Sequence, residues 1–187
     1  MGNTKAGYEY LLAYKLTVPI YDYTVVFCNR HRLKLSSART FDQMVQAARS
    51  GMQNILEGWK QQSLASYIKL AGVASGSLEE LLKDFSSYAR QNNIPIWDRE
   101  KVKRDCRENR ELWEILTGTP TLPTTPTFPT LPTNPEAELN LLVYQINSAL
   151  YTIDKLIISL KDKHMKEGGF TENLLKKRLD YRHGDRL

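Results

Sequence analysis

Hydrophobic residues recur at alternating intervals of three and four positions in four long segments of the chain. This spacing places one apolar stripe on one face of an α-helix, whereas a half-buried strand would alternate every second residue. The pattern predicts amphipathic helices over about residues 8–32, 40–62, 64–92 and 135–167. The stripes of the first and third segments are Leu11, Tyr14, Val18, Tyr21, Val25 and Cys28, and Tyr67, Ala71, Ala74, Leu78, Leu81, Phe85 and Tyr88.

Four long amphipathic helices without a strand pattern predict an all-α fold, and specifically an antiparallel up-down four-helix bundle. Each helix would span roughly 35–50 Å at 1.5 Å per residue. We expect five regions: bundle helices 1–3 within residues 1–92, an inserted charged helix within 93–118, a Thr/Pro spacer at 119–135, bundle helix 4 at 136–167, and a basic tail at 168–187.

Local chemistry predicts where several of these helices begin and end. Ile94 precedes Pro95, and a residue before proline avoids the helical backbone conformation, so the third helix should stop here. Asn134 can cap the fourth helix with Pro135 at its first position, because the ring fixes a helical φ and needs no N–H there. Gly168 and Gly169 can end that helix, because glycine is common just after the last helical residue.

Proline and glycine also occur inside the predicted helices. Pro19 should kink the first helix or split it near Val18, because its ring blocks one backbone hydrogen bond. Gly72 and Gly76 lie four apart on the third helix, and glycine costs about 1 kcal/mol within a helix. We expect close packing of a neighbouring backbone to compensate. The alternative, a phosphate-binding loop over residues 72–77, lacks the Gly-Lys-Ser/Thr ending and a preceding strand.

Two unusual segments separate the third and fourth helices. Residues 97–117 are highly charged with apolar residues near helical spacing, which predicts a short amphipathic helix docked on the bundle edge or on a neighbour. A proline then occupies every third position from Pro120 to Pro135, the repeat of a polyproline II helix. At about 3.1 Å per residue this segment reaches roughly 50 Å. We expect a stiff spacer along the bundle; the alternative is a docking peptide for an aromatic groove.

The sequence carries no pattern typical of catalysis. It contains no Walker motif, dinucleotide fingerprint or nucleophile elbow. His31, His164 and His183 have no second residue at metal-ligand spacing, and we expect them to be solvated. We therefore predict a protein that is not an enzyme and that needs no cofactor or metal. An enzyme of another type would require a deep polar pocket.

Composition and cysteine content predict the cellular compartment of the chain. It has 187 residues, a net charge of +5, and two cysteines without a CxxC pair, which favours a reducing, cytoplasmic environment. The first residues have no apolar signal core, and no apolar run is long enough for a bilayer, so we expect no membrane association.

The positive charge is unevenly distributed. Residues 1–35 carry five Lys/Arg against two acids, residues 168–187 carry five against three, and the remainder sums to zero. Tyrosines interleave with these basic residues, a combination that suits phosphate contacts and base stacking, although an ordinary solvated surface would look similar. The candidate nucleic-acid-binding residues are Arg30, Arg32, Lys34, Arg39, Lys176, Lys177, Arg178 and Arg182.

Three segments carry a family resemblance: Gln46–Gly58, Tyr67–Ala71 and Gly76–Leu81, with an Asn-Ile-x-Glu-Gly step in the first and a Gly-Ser-x-x-Glu step in the last. They resemble the four-helix-bundle family that includes proteins encoded in intervening sequences of bacterial 23S ribosomal RNA genes. The tail from Gly168 to Asn173 looks like the suffix of one bacterial branch. The resemblance covers roughly residues 8–92 and 136–167; the charged helix and the spacer depart from it.

The resemblance implies a function without catalysis. Family members are not known as enzymes, and they are similar in fold to the accessory variability proteins of diversity-generating retroelements. Those proteins form homopentameric barrels whose basic surface binds nucleic acid and a reverse transcriptase. By this resemblance we expect a homo-oligomer, a pentamer, that binds structured RNA or DNA and a reverse transcriptase. The alternative is a protein–protein adaptor using the apolar pairs Val25-Val26, Ile55-Leu56, Leu81-Leu82 and Ile157-Ile158.

Overall fold

Helices make up all the regular secondary structure in the computed structural model, which describes residues 7–31 and 38–184. This confirms the predicted all-α class. A 3-10 turn at Gly7–Tyr10 precedes the first α-helix. The α-helices are α1 Leu12–Arg30, α2 Ala38–Trp59, α3 Leu64–Gln91, α4 Arg99–Asp105, α5 Arg107–Gly118, α6 Pro135–Glu167 and α7 Phe170–Gly184.

Each of the four long helices packs on two others. Both α1 and α3 contact α2 on one side and α6 on the other. The core lies among these four helices, where Leu16, Phe27, Ile55 and Phe85 are buried almost completely. All seven residues of the stripe predicted for α3 are buried, so that prediction is confirmed.

In α1 the buried face differs from the predicted stripe. Five of the six predicted residues are only half-buried, whereas Leu16, Ile20, Tyr23 and Phe27 face the core. The helix also runs through Pro19 without a break, so of the two predicted outcomes, a kink or a split, the split is wrong. Its apolar residues are spread around most of the circumference, because segments pack on both of its sides.

The ends of α6 follow the predicted chemistry. The Asn134 side chain accepts hydrogen bonds from the backbone N–H groups of Glu136, at 2.9 Å, and Ala137, at 3.1 Å. Pro135 occupies the first turn, and Gly168 follows the last residue with a φ of 75°. Because these caps satisfy backbone groups that a helix end leaves free, α6 begins and ends where the sequence indicates.

The helical glycines divide into packed and open positions. A Cβ on Gly51 would lie 2.7 Å from Leu78 Cδ2, which explains the close approach of α2 to α3. A Cβ on Gly72 or Gly76 would meet no atom within 4 Å. The predicted packing of a neighbouring backbone on these two glycines is therefore wrong within this chain.

The inserted charged segment forms two helices instead of one. The backbone is extended at Cys106, with φ −102° and ψ 102°, and this residue separates α4 from α5. Leu112 and Leu116 of α5 are fully buried in the common core. Lys15 of α1 is also buried, and its Nζ donates to the carbonyl oxygens of Leu116 and Thr119, the latter at 2.9 Å. This lysine joins α1 to the end of α5.

The Thr/Pro segment, residues 119–134, packs along α1 and into the core as a strap. Leu122 and Leu131 are buried in the core. The Tyr23 hydroxyl donates to the carbonyl oxygen of Pro129 at 2.7 Å, and Arg30 Nη1 donates to that of Pro132 at 2.8 Å. The predicted spacer therefore has fixed contacts along α1.

The insertion and the strap cover the first part of α6. Every residue from Glu138 to Ile146 is buried, including the polar ones. Asn140 accepts a hydrogen bond from the Trp97 backbone N–H at 2.7 Å and donates to the Pro95 carbonyl oxygen at 2.9 Å. Gln145 donates to the side chain of Asn109 at 2.7 Å. The polar groups on this side of α6 thus bind the inserted segment.

Candidate nucleic-acid interface

Arg30, at the carboxyl end of α1, is held by a buried carboxylate. Its Nη1 lies 2.7 Å from Glu138 Oε1, and the same nitrogen donates to the Pro132 carbonyl oxygen. Glu138 is completely buried, whereas 37% of the Arg30 side chain is exposed. Because a buried charge must be paired, this guanidinium has a structural partner as well as a solvent-facing edge.

His31 is the second partner of Glu138. Its Nε2 lies 2.7 Å from Glu138 Oε2, and its ring packs against the rings of Phe27 and Tyr88, with centroids at 4.5 and 5.6 Å. The prediction that this histidine is solvated is therefore wrong. His164 is half-buried, and the side chain of His183 lies outside the described residues.

Arg39 is exposed in the first turn of α2. It lines a groove of about 640 Å³ between α2 and α3 together with Asp42, Glu80 and Asp84. Burial, and then the neighbouring charge of Glu80, raise the pKa of Asp84. Arg39 thus lies among carboxylates. Two other candidates, Arg32 and Lys34, lie outside the described residues.

The four candidates of α7 are Lys176, Lys177, Arg178 and Arg182, and all four are exposed. None forms an ion pair with another residue in the described part of the chain. Arg178 and Arg182 are four residues apart and share one face, whereas Lys176 is turned by roughly 200° from Arg178. The basic side chains therefore surround α7 instead of forming a single stripe.

The structure separates the six described candidates into two groups at opposite ends of α6. Arg30 contacts Glu138 in the first turn of α6. Arg39 lies near the carboxyl-terminal half of α3, and the carboxyl end of α3 packs against the end of α1 that holds Arg30. The candidates of α7 follow the last turn of α6. Thirty-three residues of helix separate these ends, about 50 Å at 1.5 Å per residue.

The α7 end also carries basic residues that sequence reasoning missed. Lys161, Lys163 and Lys166 are exposed on the last turns of α6. Residues 161–184 contain seven Lys/Arg and four Asp/Glu, a net charge of +3. The sequence contained the signal, because these lysines directly precede the basic tail predicted at residues 168–187.

The tyrosines near the basic residues differ in accessibility. Tyr23 is buried, and Tyr8 packs against Tyr14 and Trp59 with ring centroids at 4.9 and 5.7 Å. Tyr181, in contrast, is 72% exposed on α7 beside Arg182. A base can therefore stack on Tyr181 without rearrangement of the fold.

Both cysteines are poor nucleophiles at neutral pH. Burial raises the pKa of the Cys28 thiol to about 12 and that of Cys106 to about 11. Only the thiolate is reactive, so these side chains act as small buried apolar groups. Within residues 7–31 and 38–184, no cluster of three His, Cys, Asp or Glu side chains could hold a metal ion.

No protein-family model, curated protein or solved structure matches this chain. None of the helices in the described ranges combines the length and apolarity that crossing a membrane requires.

Proposed function

We propose that this chain is a non-catalytic nucleic-acid-binding protein for structured RNA, with the principal contact at α7 and the last turns of α6. The observation that carries the proposal is the set of four exposed basic side chains on α7 that form no ion pair within the described ranges. Exposed Tyr181 adds an aromatic surface among them. Basic groups that have no protein partner are available to phosphates, and phosphate contacts supply most of the affinity for nucleic acid.

In this mechanism no covalent bond is made or broken. The Lys and Arg side chains contact phosphates and release condensed counterions, and the tyrosine stacks on an unpaired base. Because the basic residues surround α7, the helix can lie in a groove of folded RNA with phosphates on more than one side. Arg30 and Arg39 form a second, weaker contact at the far end of α6.

The assembly is also part of the proposal. The cyclic packing order of α1, α2, α3 and α6 supports an antiparallel up-down four-helix bundle. A homo-oligomer, a pentamer by the family resemblance, and an accessory role beside a reverse transcriptase are proposed with it. Oligomerisation is supported by the exposed large hydrophobic residues: of thirteen in the described ranges, eight lie from Tyr151 onward.

A double charge reversal tests the principal contact. Lys177→Glu with Arg178→Glu should weaken RNA binding at least tenfold in an electrophoretic or anisotropy titration, because two attractive contacts become repulsive. The matched control is Lys83→Glu with Arg90→Glu, two exposed positions on α3 toward its carboxyl end. Equal affinities of the two double variants, both folded by circular dichroism, would contradict the assignment to α7.

An adaptor function is the second candidate, favoured by the exposed apolar side chains of α7. Phe170, Leu174, Leu175 and Leu179 are each at least 44% exposed. Of the four predicted apolar pairs, in contrast, only Val26 and Ile158 contribute an exposed residue. A partner protein captured from nuclease-treated lysate, with no RNA binding at low salt, would favour the adaptor.

A further inference from the structure

An aromatic cavity of about 410 Å³ lies between the start of α1, the inserted helices α4 and α5, and the middle of α6. Trp97 and Trp113 of the insertion and Tyr144 and Tyr151 of α6 contribute four rings to its lining. Tyr151 is 66% exposed at the mouth, whereas Tyr144 is buried. The volume lies in the range of small-ligand sites, and the lining is mainly apolar.

Cationic groups lie at the mouth of this cavity. Arg99 lines it and forms no ion pair with any residue in the described ranges. Lys155 Nζ lies 5.4 Å from the centroid of the Tyr151 ring. Two carboxylates also lie nearby: Asp98 accepts a hydrogen bond from the Lys101 backbone N–H, and Glu136 accepts one from the Trp97 indole. Arg99 and Lys155 are the cations that a negative group at the mouth could contact.

The same face of α6 continues from the cavity toward α7. A shallow groove of about 440 Å³ begins at Lys155 and ends beside Lys166; its lining also includes Ile158, Ser159, Asp162, Lys163 and Glu167. Lys163 pairs with Glu167 at 3.8 Å, so Lys155 and Lys166 are its lysines without an ion pair in the described ranges. These positions follow Tyr151 at helical spacing, so they share its face. From Tyr151 to Lys166 the helix rises roughly 22 Å. A strand whose phosphates contact Lys155 and Lys166 on this face would lead from the cavity to the basic residues of α7.

We propose that the cavity receives an unpaired base of the bound RNA, with the strand running along the lysine face of α6 to α7. This inference rests on the proposed function and adds a binding site for one RNA base to the contact at α7. The rings supply stacking surfaces, and Arg99 and Lys155 contact the phosphates on either side of the base. An apolar protein side chain would also fit the rings, but it would make no contact with the charges of Arg99 and Lys155.

Tryptophan emission tests the proposal directly, because two of the three tryptophans line the cavity. The probe is a short oligoadenylate RNA carrying a fluorescent label at one end, so that anisotropy reports binding independently. In Trp59→Phe protein, saturating RNA should change the emission of Trp97 and Trp113. Tyr151→Ala and Arg99→Ala should each weaken binding about fivefold or more. A fivefold loss is the lower end of the effect expected when the ring that stacks on one base is removed.

Two further variants serve as controls. Tyr151→Phe should restore binding, because it keeps the ring, and Arg90→Ala should bind as the native chain does. RNA that binds by anisotropy without changing the tryptophan emission, or that binds Tyr151→Ala and Arg99→Ala normally, would overturn the base site and leave the proposed function intact. Absence of binding to both this probe and a folded RNA hairpin, even at low salt, would overturn both. An emission change caused by protein concentration alone would assign the cavity to a second copy.

Discussion

At the scale of single residues, the most consequential side chains are polar groups buried between the insertion and the long helices. Glu138 is completely buried and binds Arg30 and His31, whose side chains hold the strap and the end of α1. Removing one member of such a group leaves an uncompensated charge. Arg30 therefore affects folding as well as RNA contact, so loss of binding on its substitution would be ambiguous.

The pKa of Asp84 gives a prediction with a definite sign. Burial and Glu80 raise this pKa above its ordinary value of 3.8, so the ionised carboxylate destabilises the folded state. Asp84→Asn should raise the midpoint of thermal unfolding at pH 7. This increase in the unfolding midpoint should shrink as the pH falls through the raised pKa of Asp84, and it should vanish below the ordinary pKa of 3.8. Unfolding scans of both proteins between pH 3 and 7 measure this; a gain that persists at pH 3 would contradict it.

The two classes of glycine give a matched pair of substitutions. Gly72→Ala should raise the free energy of unfolding by about 0.8–1 kcal/mol, because alanine favours the helix and the site is open. Gly51→Ala should lower it, because the new methyl group would collide with Leu78. Urea denaturation measures both. If Gly72→Ala instead destabilises the protein and reduces its oligomeric mass, a second copy packs on this face.

At the scale of elements, helix ends were predictable and the position of the insertion was not. Asn134, Pro135 and Gly168 act within one turn of chain, and α6 has the predicted bounds. Docking of α5 and the strap depends instead on Lys15 and Tyr23, about a hundred residues away in sequence. A signal was available in α6, because residues 139–146 have no charged member and thus indicate a helix buried on all sides.

Lys15 should determine how firmly α5 is held. Lys15→Met keeps an apolar stem but removes two hydrogen bonds to the last carbonyl groups of α5, a loss of about 2 kcal/mol. Amide hydrogen exchange in residues 107–131 should then accelerate roughly thirtyfold, with α3 unchanged. Lys69→Met, at an exposed position, is the control. Equal acceleration throughout the chain would mean that Lys15 stabilises the whole fold and not this element.

At the scale of the whole molecule, the candidate interface is two surfaces about 50 Å apart. Charge counting along the sequence could not place the candidate residues at opposite ends of α6, since that depends on helix order. It also could not foresee that Arg30 is ion-paired whereas the basic side chains of α7 have no ion pair among the residues that the structure describes. Accessibility, which decides what can bind a phosphate, is a property of the folded chain.

The most direct test of this account is the salt dependence of RNA affinity. If the four basic residues of α7 each neutralise one phosphate, log K should fall with log salt with a slope of about −3 on single-stranded RNA. Lys177→Gln with Arg178→Gln should reduce the magnitude of that slope by about 1.4. Titrations of both proteins between about 50 and 200 mM salt measure this. An affinity independent of salt, or identical slopes for the two proteins, would contradict RNA binding through α7.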